Sequence, residues 1–186
     1  MLRSEIHLID GENIVARFQA IKAEGRTPKS NVAHKSDTYV WHPELLGRFV
    51  GDVVRVSYYT SAVGDEAFVG TVNKEIREFT YKSKAADFTK TSHVVAQVFK
   101  KPSKSAKSRS VDINMVIDAM RHVSNGSANL VCIYSGDGDF VPLVKELMSL
   151  GAQVHVRALS SGLSSGMETT ADHFALLDEV FFEAQT

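Results

Sequence analysis

The sequence predicts an α/β fold, a five-stranded parallel sheet in the order 3-2-1-4-5 with helices on both faces. Apolar runs of strand length alternate with segments whose apolar residues recur at helical spacing. Two of these runs, residues 6–9 and 130–134, break into glycine-containing acidic turns just before a helix. Strands of a doubly wound sheet end in this way at the edge where ligands bind. A length of 186 residues suits a single domain over residues 1–186.

Each predicted element follows from its local composition. Residues 52–60 are rich in β-branched and aromatic side chains, which favours a strand. Residues 67–81 carry apolar residues at intervals of three and four, which predicts a helix. The predicted strands are residues 5–10, 52–60, 91–99, 130–134 and 153–159, and the predicted helices are residues 14–24, 44–50, 67–81, 112–122 and 141–150, with a serine- and glycine-rich loop at 160–166 and a last short helix or strand around 174–182.

Two segments show neither pattern. Residues 26–43 are polar and contain two prolines, so we expect a long connection or a lid. Residues 100–110 are small, polar and basic with nothing to bury, which predicts a mobile loop. This loop is interpreted either as an arm that contacts phosphates or as a solvated loop without a role. Its cations are Lys100, Lys101, Lys104, Lys107 and Arg109.

Composition restricts the partners and the compartment. The formal net charge of -1 gives no overall basic surface, so any surface for nucleic acid must be local. Cys132 is the only cysteine, which excludes a disulfide within the chain, and its apolar surroundings predict a buried side chain. No apolar run approaches about 18 residues. We therefore expect no membrane partner and a cytoplasmic protein, with a homo-oligomer left open.

Four carboxylates are expected at one edge of the sheet. Asp10 ends the first predicted strand and Asp137 follows the fourth, and these strands are neighbours in the predicted order. Asp112 opens a helix that leaves the same edge, and Asp139 lies two residues beyond Asp137. Carboxylates about 4 Å apart repel by roughly 4 kcal/mol at an effective dielectric constant of about 20, so their charge needs neutralising. Mg²⁺ or Mn²⁺ is the expected neutralising ion, and protonation of one acid is the alternative.

Simpler interpretations of these acids stay open. Asp112 is also a good residue for capping its helix, and Asp137 and Asp139 are typical of turns because they stand beside glycines.

Three further polar residues are predicted to support the acids. Asn13 and Ser135 are placed to hydrogen-bond to them, although either is also an ordinary cap. Asp118 lies about 9 Å further along its helix than Asp112, which predicts a supporting hydrogen bond or a surface position. The seven histidines lack metal-ligand spacing and are interpreted as structural or surface residues.

Five motifs follow one another over nearly the whole chain, and together they resemble the NYN domains of the LabA type, in the PIN-like nuclease group. They are Ile9-Asp10-Gly11-Glu12-Asn13-Ile14, Tyr58-Tyr59-Thr60-Ser61 followed by Gly64-Asp65-Glu66, Val111-Asp112-Ile113-Asn114-Met115-Val116-Ile117-Asp118, Ser135-Gly136-Asp137-Gly138-Asp139-Phe140-Val141-Pro142-Leu143-Val144, and Ala171-Asp172-His173-Phe174 followed by Leu177-Asp178.

The resemblance implies a PIN-like Rossmannoid fold and a metal-dependent ribonuclease, with an endonuclease expected. It implies that the catalytic and metal-binding residues are Asp10, Asp112, Asp137 and Asp139. The chain departs from the family pattern in two places. Residues 26–42 form a longer connection than expected, and the basic run of residues 100–109 replaces a shorter Lys-Gly motif.

Two functions of different class follow. The first is hydrolysis of RNA phosphodiester bonds, in single-stranded or structured RNA, with the cations of residues 100–109 holding the backbone. The second is a non-catalytic RNA-binding or regulatory interaction module with the same fold. The presence of all four acids favours the enzyme. A phosphatase for small molecules is disfavoured, because position 12 is Glu and an Asp-x-Asp pair after the first strand is therefore missing.

Overall fold

A parallel sheet flanked by helices forms the centre of the computed structural model, which describes residues 3–47, 49, 51–85, 88–103, 106 and 109–184. The α/β class is therefore confirmed. In chain order the elements are β1 (Ser4–Asp10), α1 (Gly11–Ala23), β2 (Ala33–Lys35), β3 (Tyr39–Trp41), β4 (Asp52–Val63), α2 (Glu66–Arg77), β5 (Thr80–Ala85), β6 (Phe88–His93), β7 (Val95–Lys101), α3 (Ser110–Ser124), β8 (Leu130–Tyr134), a 3₁₀ turn (Gly138–Phe140), α4 (Val141–Ser149), β9 (Gln153–Ala158), α5 (Ser165–Thr170), β10 (His173–Leu176) and α6 (Asp178–Phe181).

The main sheet has six parallel strands in the order β10-β9-β8-β1-β4-β7. The predicted five strands in the order 3-2-1-4-5 are corrected, because β10 adds a sixth strand at the edge beside β9. This strand is only four residues long, too short for the sequence to distinguish it within the short helix or strand predicted around residues 174–182. Strand β1 lies between β4 and β8 in the middle of the sheet.

The two faces of the sheet carry separate cores. Ile6 and Leu8 of β1 pack on the face covered by α3 and α4, and Ile9 packs on the face covered by α1 and α2. Because successive side chains of a strand point to opposite faces, β1 contributes to both cores. It is therefore packed on both faces and paired with a strand on both edges.

The turn from β1 into α1 is fixed by a close approach to β4. A Cβ atom on Gly11 would overlap the Tyr58 ring and lie 2.7 Å from the carbonyl oxygen of Tyr59. Only glycine lets α1 begin directly against this strand. The tight turn places Asp10 at the last position of β1 and at the N-cap of α1.

Residues 26–43, predicted as a long connection or lid, contain the antiparallel hairpin of β2 and β3. Trp41 of the hairpin stacks on Phe79 with ring centroids 5.1 Å apart. Lys35 forms an ion pair of 2.7 Å with Glu75, and Gln19 Oε1 accepts a hydrogen bond of 2.8 Å from Asp37 N. The connection between α1 and β4 is therefore partly ordered and packed against α1 and α2, and its role as a lid stays a prediction.

A second antiparallel hairpin, formed by β5 and β6, shows that two predicted element ends are wrong. It contains the last residues of the helix predicted over residues 67–81 and the first residues of the strand predicted over residues 91–99. The strand that enters the main sheet is β7. The predicted helix over residues 44–50 is also wrong where the chain is described, because residues 43–46 form turns.

The basic segment 100–110 is more ordered at its ends than predicted. Lys100 and Lys101 are the last residues of β7, and Ser110 is the first residue of α3. The prediction of a mobile loop is therefore wrong for these residues. Lys104 and Lys107 lie outside the described residues.

Within the described residues, none of the helices combines the length and the apolar character that crossing a membrane requires.

Candidate active site

All four acids singled out from the sequence line one cleft at the carboxyl edge of the sheet. The cleft has a volume of about 710 Å³ and lies between the ends of β1, β7 and β8 and the start of α3. Its charged and polar lining consists of Asp10, Glu12, Asn13, Lys101, Arg109, Asp112, Asp137 and Asp139. The structure thus brings together residues from segments far apart in the chain. Their catalytic and metal-binding roles stay predictions.

Asp10 is the most buried of these acids, with 3% of its surface exposed. Its Oδ1 accepts a hydrogen bond of 3.0 Å from Asn13 N, and its Oδ2 accepts one of 2.8 Å from the Ser135 hydroxyl. Burial, together with the charges of Asp112 and Glu12, raises the pKa of Asp10 to about 7, and the two hydrogen bonds oppose the rise. A positive charge placed beside Asp10 would therefore stabilise its ionised form.

The loop after β8 is attached to the start of α1 by the predicted supporting residues. Ser135 Oγ accepts a hydrogen bond of 3.2 Å from Asp137 N while it donates to Asp10. Asn13 Oδ1 accepts one of 3.1 Å from Gly136 N. Asp137 Oδ1 in turn accepts a hydrogen bond of 3.0 Å from Asp139 N. Asp137 therefore has the turn-forming role that its glycine neighbours predict, in addition to lining the cleft. These bonds fix the backbone that carries both acids of the loop.

Asp112 lies in the first turn of α3 but does not cap this helix. The N-cap residue is Arg109, and α3 has no side-chain capping hydrogen bond. The simpler interpretation of Asp112 as a cap is therefore wrong. Burial raises the pKa of Asp112, and the charges of Asp137, Glu12 and Asp139 raise it further. The Asp112 carboxylate is thus repelled by three other acids of the cleft.

The acids line the cleft without forming a compact cage. Among the described residues, the one group of three metal-ligating side chains with ligand atoms all within 4.8 Å of one another lies elsewhere and includes none of these four acids. Asp139 is exposed at the rim, and Asp112 and Asp137 are half-buried.

Glu12 is a cleft residue that the sequence analysis missed. Its Oε1 accepts hydrogen bonds from the Ser61 hydroxyl, at the end of β4, and from Lys101 Nζ at a distance of 3.0 Å. The Glu12 side chain is 26% exposed and that of Lys101 is 14% exposed, so this ion pair is partly shielded from water. The signal was present in the sequence, because Glu12 stands two residues after Asp10 in the first turn of α1.

The other predicted supporting and basic residues are spread more widely. Asp118 accepts hydrogen bonds from the Tyr59 hydroxyl at 2.8 Å and from Arg121 at 2.9 Å, so it joins α3 to β4 away from the cleft lining. Lys100 forms an exposed ion pair of 3.0 Å with Glu66. Arg109 lines the cleft.

Comparison with known families identifies the group to which the chain is related. The family model described as the NYN domain matches residues 7–178. The chain belongs to the NYN domain family. This is a PIN-like nuclease family, whose members typically use divalent metals. The finer assignment to the LabA type stays a prediction.

Two further comparisons give relatives of unknown function. An uncharacterized protein of Methanocaldococcus jannaschii is 28% identical over 71 residues, which cover 38% of this chain and 30% of that protein. The chain thus matches less than a third of that relative's length. The crystal structure of a protein of unknown function from Vibrio parahaemolyticus superposes with a TM-score of 0.61 over 98% of this chain and 97% of that chain, at 17% identity. This likeness shows the fold alone.

Proposed function

We propose that this NYN domain, spanning residues 1–186, is a metal-dependent ribonuclease that hydrolyses RNA phosphodiester bonds internally. The observation that carries the proposal is the meeting of Asp10, Asp112, Asp137 and Asp139 on one cleft of a fold from a nuclease family. Carboxylates from three separate segments have no common structural task at a sheet edge, and their mutual repulsion costs stability. Such a cost is typical of sites retained for function.

The donor chemistry of the cleft fits Mg²⁺ or Mn²⁺. All four proposed ligands are carboxylates, which are the oxygen donors that these hard ions prefer. We assign Asp10 and Asp137 as direct ligands, and Asp112 and Asp139 as ligands or as groups that position water. The chemistry that such an ion supplies is stabilisation of the charge on the scissile phosphate together with a lower pKa for water. Asn13 and Ser135 hold the backbone and carboxylate of the ligands in place through their hydrogen bonds.

The basic side chains at the cleft are proposed to bind the RNA backbone. Lys101 and Arg109 line the cleft itself, and Lys100 stands next to it on β7. Lys104 and Lys107 complete the proposed set within the same segment. Contacts of this kind bind phosphates without reading the sequence.

The decisive experiment compares cleavage of single-stranded and structured RNA in Mg²⁺, in Mn²⁺ and in chelator. We expect cleavage with either metal, none in chelator, and a loss of at least about 100-fold in kcat for Asp10→Asn and for Asp137→Asn. Glu146→Gln is the matched control, because Glu146 is an exposed acid on α4 away from the cleft. Cleavage that persists in chelator, or that survives both substitutions, would contradict the proposal.

The spacing of the acids favours one alternative, a non-catalytic module that binds RNA in the same cleft. No three of the acids are brought within 4.8 Å of one another among the described residues. The alternative predicts RNA binding that is the same with Mg²⁺ and with chelator, and no cleavage in Mg²⁺ or Mn²⁺. The ribonuclease proposal predicts cleavage products of defined ends under the same conditions.

A further inference from the structure

A second cluster of metal-ligating side chains lies inside the sheet, apart from the acidic cleft. Glu5 and His7 alternate on β1 and therefore point to the same face, and Cys132 of β8 is the register partner of His7. Glu5 is 1% exposed, His7 1% and Cys132 2%. One ligand atom from each lies within 4.8 Å of the other two. His7 stands about 10 Å along the strand from Asp10, and its side chain packs on the opposite face.

The hydrogen bonds of His7 leave one ring nitrogen directed at this cluster. His7 Nδ1 lies 2.8 Å from the Tyr134 hydroxyl, which also lies 3.5 Å from the carbonyl oxygen of Leu46. Metal binding through Nε2 requires the tautomer with the ring proton on Nδ1, donated to the Tyr134 oxygen, and the lone pair on Nε2. Nε2 is fully buried and has no hydrogen-bond partner. It lies 3.7 Å from Glu5 Oε2 in the protein interior.

A buried nitrogen without a hydrogen-bond partner is unfavourable. A neutral imidazole with its proton on Nε2 would not satisfy this nitrogen, because 3.7 Å is too long for a hydrogen bond to Glu5 Oε2. Burial lowers the pKa of His7 and disfavours the imidazolium. A metal cation is the remaining candidate for a partner of Nε2.

We propose that Glu5, His7 and Cys132 bind one Zn²⁺ ion. Imidazole nitrogen, thiolate sulfur and carboxylate oxygen are the donors that zinc accepts in proteins, and sulfur disfavours Mg²⁺. Two ligands at about 2.1 Å from a tetrahedral ion are about 3.4 Å apart, which is close to the 3.7 Å between His7 Nε2 and Glu5 Oε2. The Tyr134 hydroxyl orients the imidazole through its other nitrogen, as partners of metal-binding histidines do.

The surroundings of the cluster orient its side chains and keep water away. Glu5 Oε1 accepts a hydrogen bond of 3.3 Å from Gly51 N, and Oε2 lies 3.7 Å from His7 Nε2. Burial and the charge of Glu5 raise the pKa of the Cys132 thiol to about 12, and Arg157 lowers it less, so the thiol gives up its proton only when a metal binds. Phe49 packs edge-on against the His7 ring, with centroids 5.3 Å apart, and this partly exposed side chain separates the cluster from solvent.

The site would join the two central strands. Zn²⁺ held by β1 and β8 would add bonds between the strands whose ends carry Asp10 and Asp137. Its role is therefore to stabilise the fold beneath the cleft, and its donor set distinguishes it from the oxygen-only donors of the cleft.

The absorption spectrum of the Co²⁺-substituted protein tests the proposal directly. Cys132 is the only cysteine of the chain, so a thiolate-to-cobalt charge-transfer band can come from this residue alone. We expect the band when chelator-treated full-length protein is titrated with Co²⁺, saturation at one equivalent, and loss of the band when Zn²⁺ is added. Elemental analysis should give one tightly bound zinc per chain.

Variants separate this site from the cleft. Cys132→Ser should abolish the band and weaken Zn²⁺ binding at least about tenfold, and His7→Gln should weaken it similarly. Asp137→Asn should retain both the band and the zinc. If the variants of the cluster fail to fold, the spectrum of the parent protein still decides.

Absence of the band in the parent protein would overturn the proposal and leave a buried contact between His7 and Glu5. Zinc binding that survives Cys132→Ser but is lost in Asp137→Asn would overturn it as well, since it would place the ion in the cleft. The test reads metal binding and not RNA cleavage, so its outcome is independent of the proposed ribonuclease.

Discussion

Ser135 donates a hydrogen bond of 2.8 Å to Asp10 across the boundary between β1 and the loop after β8. It is one of two hydrogen bonds that lower the pKa of a carboxyl group that burial raises to about 7. A single hydroxyl therefore helps decide whether Asp10 is ionised near neutral pH. Because the same hydroxyl accepts a bond from Asp137 N, it also sets where the loop lies relative to Asp10.

Ser135→Ala should shift the acid limb of the pH profile of cleavage to higher pH. Without the hydroxyl, the pKa of Asp10 rises, by up to about one pH unit, because one hydrogen bond contributes about 1 kcal/mol. The measurement is kcat/KM in Mn²⁺ between pH 5 and pH 9. Ser149→Ala, on α4, is the matched control, since the Ser149 hydroxyl donates a hydrogen bond to the Glu146 carbonyl of its own helix. An unshifted acid limb would mean that Asp10 does not control this part of the profile.

Asp10→Asn should stabilise the protein in chelator, and more so at alkaline pH. Burial raises the pKa of the Asp10 carboxyl in the folded protein to about 7, from its ordinary value of 3.8. Between these values the folded state binds the proton more tightly, so the free energy of unfolding falls as the pH rises through this window. Asparagine does not titrate and still caps a helix well, so the variant should avoid this loss.

The gain at pH 8 has a ceiling of about 4 kcal/mol, and it should vanish towards pH 4. Urea denaturation of parent and variant at pH 5 and pH 8 measures it, with Glu146→Gln as the exposed control. A variant that is less stable than the parent at pH 8 would show that the ionised carboxylate has a structural role.

Gly11→Ala should destabilise the fold by at least about 2 kcal/mol, because the added methyl group would meet the Tyr58 ring and the backbone of Tyr59. Gly70→Ala is the matched control. Gly70 lies within α2, and a Cβ atom there would meet nothing within 4 Å. Alanine is the better helix former by about 1 kcal/mol, so this change should stabilise. Urea denaturation should therefore give opposite signs for the two substitutions, and equal signs would contradict the close approach at Gly11.

The sequence allowed the acids of the cleft to be found because each follows or opens an element with a clear pattern. Asp10 comes directly after an apolar strand, and Asp137 follows another. The hairpin of β5 and β6 was missed, because its strands alternate polar residues such as Lys82 and Thr91 and bury little. Such strands are defined by pairing with each other, which composition does not reveal.

The cluster of Glu5, His7 and Cys132 was missed for a different reason. Glu5 and His7 are two residues apart on a predicted strand, so the sequence places them on one face. Their contact with Cys132 depends on the register between β1 and β8. Register between strands so distant in the chain follows from the packing of the whole sheet. The same limit explains Lys101, which the sequence placed on a mobile loop and the structure places beside Glu12.

Lys101→Ala should weaken RNA binding and reduce its salt dependence. Each phosphate contact to a single strand contributes a slope of about -0.7 in log affinity against log salt, so losing one contact should flatten the slope by about 0.7. The Lys101 ammonium lies in the cleft, 3.0 Å from Glu12 Oε1, and a phosphate would compete with Glu12 for it. Glu12→Gln should therefore act in the opposite direction and tighten binding, since it frees Lys101 and removes a negative charge from the path of the RNA.

Fluorescence anisotropy with a labelled single-stranded RNA, in chelator and at several salt concentrations, measures both effects without cleavage. Lys145→Ala is the matched control, because Lys145 is an exposed lysine on α4 and does not line the cleft. It should leave the slope unchanged. If Lys101→Ala gives the same slope as Lys145→Ala, Lys101 serves only to neutralise Glu12. The phosphate contacts would then have to come from other cations of the basic segment, beginning with Arg109 at the start of α3.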